Sequence, residues 1–126
     1  MKKTILLIDD CDMMRLFLLP ILEKTHDVVA LINPLEAILW LKTNPVPDAV
    51  ILDFELPEMN GIEFLRFLKQ REEFLKVPVI MLSGVKDTEK RWQCLEAGAN
   101  DFLTKPFHPR ELALRVNRLT SEMSKI

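Results

Sequence analysis

Five short hydrophobic runs divide the chain, at residues 5–8, 28–31, 49–52, 79–82 and, briefly, 102–103. Most are apolar at nearly every position rather than at every second one. Strands covered on both faces have that pattern, as in a parallel sheet between two helical layers. Segments long enough for crossover helices lie between the runs. Asp12 is placed to cap the first helix, which points towards Lys24. Pro20 falls inside it, removes one backbone donor and predicts a kink. The second helix is expected from Pro34 to Thr43, before the prolines of "NPVPD". The third follows Gly61, where the Asn60-Gly61 pair allows positive φ and so a sharp entry. The fourth starts near Asp87 or Thr88 and ends at Gly98, a suitable C-cap residue. The fifth opens at Pro109, a good first-turn proline. Its Leu112, Val116, Leu119 and Met123 form one apolar stripe.

Strict alternation of strand and helix predicts a (βα)5 α/β fold, with a parallel sheet and helices on both faces. No repeat, low-complexity tract or linker interrupts it, so residues 1–126 are expected to form one domain. The fifth helix is expected to take up the end of the chain, leaving no room there for an effector domain within these residues.

Composition narrows the function classes. The 126 residues are 48% hydrophobic and 29% charged, enough for one core. Seventeen Lys and Arg against nineteen Asp and Glu give a net charge of −2. That balance argues against direct nucleic-acid binding, which favours a strong basic excess. No apolar run approaches the ~20 residues that cross a bilayer. Two aspartates cut the apolar stretch of "MKKTILLIDD" well short of the ~7–15 residues of a signal peptide. The start therefore reads as a strand in a cytoplasmic protein without membrane contact. Two cysteines, Cys11 and Cys94, make no disulfide framework, and Cys94 fits a small buried position.

Chemistry collects after the runs. Asp9 and Asp10 follow the first, Asp53 the third, Ser83 the fourth and Lys105 the fifth. In open α/β sheets, ligands bind beyond the carboxyl ends of the strands. Three carboxylates, a hydroxyl and an ammonium would then share one rim. Carboxylates held together repel, and a hard divalent cation such as Mg2+ offsets this. With the charge neutralised, a carboxylate oxygen can attack phosphorus while the lysine and the hydroxyl hold the phosphoryl oxygens. Singly, each residue is a common cap or turn former. Together and in this order they point to phosphoryl transfer onto an aspartate.

The stretches "LLIDDCDMMR", "AVILDFELPEMNGIEFL", "VPVIMLSG" and "EAGANDFLTKPF" resemble the response-regulator receiver domain of two-component signalling, over nearly the whole chain. The resemblance implies a flavodoxin-like three-layer sandwich with strand order 2-1-3-4-5. It implies Asp53 as phosphoacceptor. Asp10 and Asp53 would bind Mg2+ directly, Asp9 through water, and Glu55 through its backbone carbonyl. Lys105 would pair with a phosphoryl oxygen, and Pro106 would follow a cis bond. Ser83 would be the switch hydroxyl and Phe102 the switch aromatic, linking Asp53 to the surface formed by the fourth helix, fifth strand and fifth helix. The implied donor is a sensor histidine kinase or histidine phosphotransfer protein, and the output a downstream partner or effector domain. Phosphohydrolase turnover through an aspartyl phosphate, and a non-phosphorylated scaffold, are the competing readings. Nothing resembles a phosphatase cap domain, and all five site positions are filled.

Four positions depart from the common pattern: Cys11, Leu56, Asn60 and Phe102. Glu55 adds charge near the phosphoryl group at a variable position, which predicts an altered phosphoryl lifetime. "PLEAILWL" is apolar almost all round the second helix. A patch left over there would serve a partner or a homodimer. His26 and His108 lack metal-ligand company.

Overall fold

The computed structural model describes residues 2–84 and 88–124, the last three by their backbone alone. Strands β1 (Thr4–Ile8), β2 (Asp27–Leu31), β3 (Ala49–Asp53), β4 (Val79–Ser83) and β5 (Asp101–Thr104) alternate with five helices. These are α1 (Asp12–Leu22), α2 (Pro34–Thr43), α3 (Gly61–Lys69), α4 (Thr88–Glu96) and α5 (Pro109–Ser124). The strands pair in parallel in the order β2-β1-β3-β4-β5. The fold is the flavodoxin-like sandwich that alternation and resemblance predict.

Successive side chains of a strand point to opposite faces. Ile5, Leu7, Ile51, Ile80, Leu82 and Leu103 meet Leu18 and Leu22 of α1 and Leu112 and Val116 of α5. On the other face, Leu6, Ile8, Val50, Leu52 and Met81 meet Ala37 of α2, Phe64 and Leu68 of α3 and Cys94 of α4. Both faces are covered, which is why the runs are apolar at every position. Burying each large side chain contributes roughly 1.5–3 kcal/mol, so the sheet is a firm platform for its loops.

Several boundaries depart from expectation for local reasons. Cys11 rather than Asp12 occupies the N-cap of α1, and its side chain makes no capping bond. Asp12 lies in the first turn, where its charge complements the helix dipole, and it pairs with Arg15. Pro20 sits in the last turn, and α1 stops at Leu22 before reaching Lys24. A short 3-10 turn, Glu72–Phe74, was not expected and tucks Phe74 into the core.

The Asn60-Gly61 pair is not a positive-φ turn. Asn60 has φ −72° and caps α3, exchanging bonds with Glu63 in a capping box. The left-handed residue of this loop is Glu58, at φ 69°. Gly61 is needed for space: a Cβ there would lie 2.7 Å from Phe54 Cα and 2.8 Å from the Asp53 carbonyl oxygen. Gly98 does end α4, with φ 112° and its N–H on the Leu95 carbonyl. Asp87, the earlier candidate start of α4, and the Met123 side chain lie outside the described residues. On α2, Trp40 is half-buried while Leu35 and Leu39 remain 58% and 65% exposed, so an apolar patch is left over.

Candidate functional site

From β1 the sheet continues to β2 on one side and to β3, β4 and β5 on the other. The crevice beyond β1 and β3 is thus a topological switch point. Five buried positions of β3 end on Asp53, itself 4% exposed. The next residue, Phe54, extends the ladder through its N–H to the Leu82 carbonyl at 2.8 Å. Asp53 is therefore held at a fixed backbone position. Its Oδ1 accepts the Glu55 N–H at 3.0 Å and its Oδ2 accepts the Lys105 ammonium at 3.2 Å.

Asp9 follows β1 and is wholly buried. Its Oδ1 accepts the Cys11 N–H at 2.9 Å. Among the described residues its Oδ2 has no hydrogen-bond partner, and the Lys105 ammonium, an ion-pair contact 3.7 Å away, is beyond hydrogen-bonding reach. Burial pushes the Asp9 carboxyl up to about 6. The charge of Asp53 adds to this, while the Cys11 N–H and Lys105 oppose it. Asp10 is exposed beside it. One oxygen from each of Asp9, Asp10 and Asp53 lies within 4.8 Å of the other two.

Lys105 reaches this cluster from the residue after β5, and its N–H bonds the Ser83 carbonyl at 2.7 Å. Burial acts to lower its pKa, but the charges of Asp53, Asp9 and Glu55 outweigh it and raise the ammonium above its ordinary value. It stays charged. The peptide bond from Lys105 to Pro106 is cis.

The donor set fits magnesium. It is all oxygen, it carries excess negative charge, and one buried carboxylate oxygen has no hydrogen bond among the described residues. Mg2+ takes a few carboxylate oxygens and keeps several waters. The exposed side of the cluster, at Asp10, leaves room for them.

Ser83 is fully buried at the end of β4, opposite Thr104 in the register. Phe102 pairs with Met81 and is 5% exposed, with the Arg91 guanidinium 6.0 Å from its ring centre. Its ring is already packed inward in this structure. The Glu55 side chain is exposed, and its N–H grips Asp53.

The family model described as "Response regulator receiver domain" matches residues 5–117. The chain belongs to that family. Receiver domains are in general the phosphoaccepting modules of two-component response regulators. The phosphate regulon transcriptional regulatory protein PhoB of Pseudomonas aeruginosa is 37% identical over 115 residues, covering 90% of this chain and 50% of that protein. A receiver domain of a Francisella response regulator has a TM-score of 0.88 at 31% identity, covering 96% of this chain and 98% of that one. The receiver domain of a Pseudomonas aeruginosa sensor histidine kinase, with magnesium coordinated in its active-site cleft, has a TM-score of 0.85 at 27% identity. It covers 96% of this chain and 99% of that one. The chain spans half or less of the length of these curated relatives: 35% of PhoB from Escherichia coli and 49% of PhoP from Bacillus subtilis. Among the described residues, no helix is long and apolar enough to cross a membrane.

Two features of this receiver escape sequence reasoning. Arg15 donates to the Asp9 carbonyl and pairs with Asp12. The spacing of Asp12 and Arg15, one helical turn apart, was the available signal. Met13, Leu16 and Phe17 stand 75%, 67% and 51% exposed on α1 beside the acidic rim. Their spacing places them on one outer face of α1.

Proposed function

We propose that this receiver accepts a phosphoryl group on Asp53 from a phosphohistidine of a sensor histidine kinase or phosphotransfer protein. The observation that carries the reading is the buried Asp9 oxygen that makes no hydrogen bond among the described residues, within a cluster that also contains Asp10, Asp53 and the ammonium of Lys105. Asp9, Asp10, Asp53 and the Glu55 carbonyl would hold Mg2+, which when bound neutralises charge on the phosphoryl oxygens.

The chain's own residues do the rest. A carboxylate oxygen of Asp53 attacks phosphorus, the P–N bond of the donor breaks, and the imidazole leaves with its electron pair. Lys105 shifts from the Asp53 carboxylate to a phosphoryl oxygen. The Ser83 hydroxyl donates to another. Ser83 and Phe102 then couple that bond to the packing of α4, β5 and α5. On this face Trp92 is 57% exposed and Arg115 of α5 grips Asp101 of β5. A downstream partner reads this face rather than the phosphoryl group. The exposed ridge of Met13, Leu16 and Phe17 supports a protein donor over a small molecule, because it adds apolar contact beside the site. Glu55 places a charge near attacking water and alters the phosphoryl lifetime.

Mg2+ with beryllofluoride, a phosphoryl mimic, tests this. Tryptophan fluorescence or amide shifts should change in the parent and not in Asp53→Asn. No response in either favours a fixed scaffold. Steady turnover of phosphomonoesters favours a phosphohydrolase.

A further inference from the structure

We infer that Arg15 is a positioning residue for the metal site: it holds the β1–α1 turn in the shape that presents Asp9 and Asp10 together. The inference rests on the reading of Asp9, Asp10 and Asp53 as magnesium ligands. Arg15 lies one turn into α1, and its side chain is 15% exposed. Its Nη1 donates to the Asp9 carbonyl at 2.6 Å and its Nη2 to Asp12 Oδ1. Only Asp10 and Cys11 lie between these two anchors. The other restraints on the turn are the Asp9 N–H on the Leu31 carbonyl, the Cys11 N–H on Asp9 Oδ1 and the Arg15 N–H on the Cys11 carbonyl. None of them touches Asp10. The Asp10 carboxylate makes no hydrogen bond or ion pair among the described residues. Its place is set by its backbone, and the guanidinium closes that backbone into a loop. A planar fork can grip both anchors at once, whereas an ammonium is a point charge on a flexible stem.

The rival explanation is that Arg15 acts only as a charge. The two accounts predict opposite signs. A bare cation beside the site repels Mg2+, so removing it should tighten binding. A positioning residue organises the ligands, so removing it should loosen binding. Partners that orient metal ligands are typically worth about tenfold or more in metal affinity.

The experiment is a Mg2+ titration of the parent, Arg15→Gln and Arg15→Lys by calorimetry, with metal-free melting curves alongside. Arg15→Gln should bind about tenfold more weakly, and Arg15→Lys should also bind more weakly although it keeps the charge. Metal-free melting should move little in Arg15→Lys, which separates positioning from general stability. If Arg15→Gln does not fold, Arg15→Lys reads the same quantity. Equal or tighter binding in the variants overturns this inference alone. A parent that binds no Mg2+ overturns the metal reading and this inference with it.

Discussion

The two ends of one sheet treat their polar groups in opposite ways. At the amino ends of the strands the polar groups find partners. Asp48 accepts the Thr4 N–H at 2.8 Å, and Asn100 accepts the Val79 N–H at 2.9 Å. Lys3 donates to the Thr120 carbonyl at 2.6 Å. His26, 4% exposed, is held between the hydroxyls of Thr25 and Thr120. At the carboxyl ends, three acids crowd together and, among the described residues, one buried oxygen is left without a hydrogen bond. The first rim closes the fold. The second holds repulsion that a cation can relieve. Stability and function are thus separated along the length of the strands.

The largest expected effect breaks this comparison outright. Asp53→Asn keeps the size of the side chain and removes the proposed nucleophile. Phosphoryl uptake from an acyl phosphate, followed by intact mass, should vanish. Asp48→Asn at the opposite rim should leave it in place.

The rims should also answer acid with opposite signs. Asp9 is raised from 3.8 to about 6, so the native state holds its proton more tightly than the unfolded chain. Without metal, the Asp9 contribution is most favourable below about 4 and falls as pH rises to about 6, by about 3 kcal/mol at most. His26 is lowered from 6.5 by burial, aided by Lys3 and Lys2 and opposed by Asp48. Its contribution is present above 6.5 and is lost as pH falls below that. Melting curves between pH 4 and 7 check both. Asp9→Asn should remove the gain on acidification, and His26→Gln should remove the loss.

Smaller effects sharpen the contrast. Gly61→Ala should cost about 1–3 kcal/mol through crowding of Phe54 and the Asp53 carbonyl, and should slow phosphoryl uptake as well. Asp48→Ala should cost about 1–3 kcal/mol by stranding the Thr4 N–H, with uptake unchanged. Urea unfolding measured beside uptake distinguishes the two.

Much of this was legible in the sequence because the sheet and the site share one signal. Each apolar run announces a strand, and the polar residue that ends it is placed at the rim by the run itself. The strand-end positions of Asp53, Ser83 and Lys105 were read that way, and those of Asp9 and Asp10 likewise. What was not legible depends on close approach between segments. Gly61 reads as a turn glycine, yet it is required because α3 enters against the backbone of Phe54. Asp12 has a strong capping preference, but the chain turns one residue earlier and gives the N-cap position to Cys11. The grip of Arg15 on the Asp9 carbonyl, six residues back, follows from the shape of a turn that no periodicity encodes.

The most direct test is the stoichiometry of Mg2+ binding and its dependence on the three acids. Calorimetry of the parent should give one saturable site per chain. Asp9→Asn, Asp10→Asn and Asp53→Asn should each weaken it strongly while the fold is retained. A parent without saturable binding, or three variants that bind as the parent does, would contradict the account.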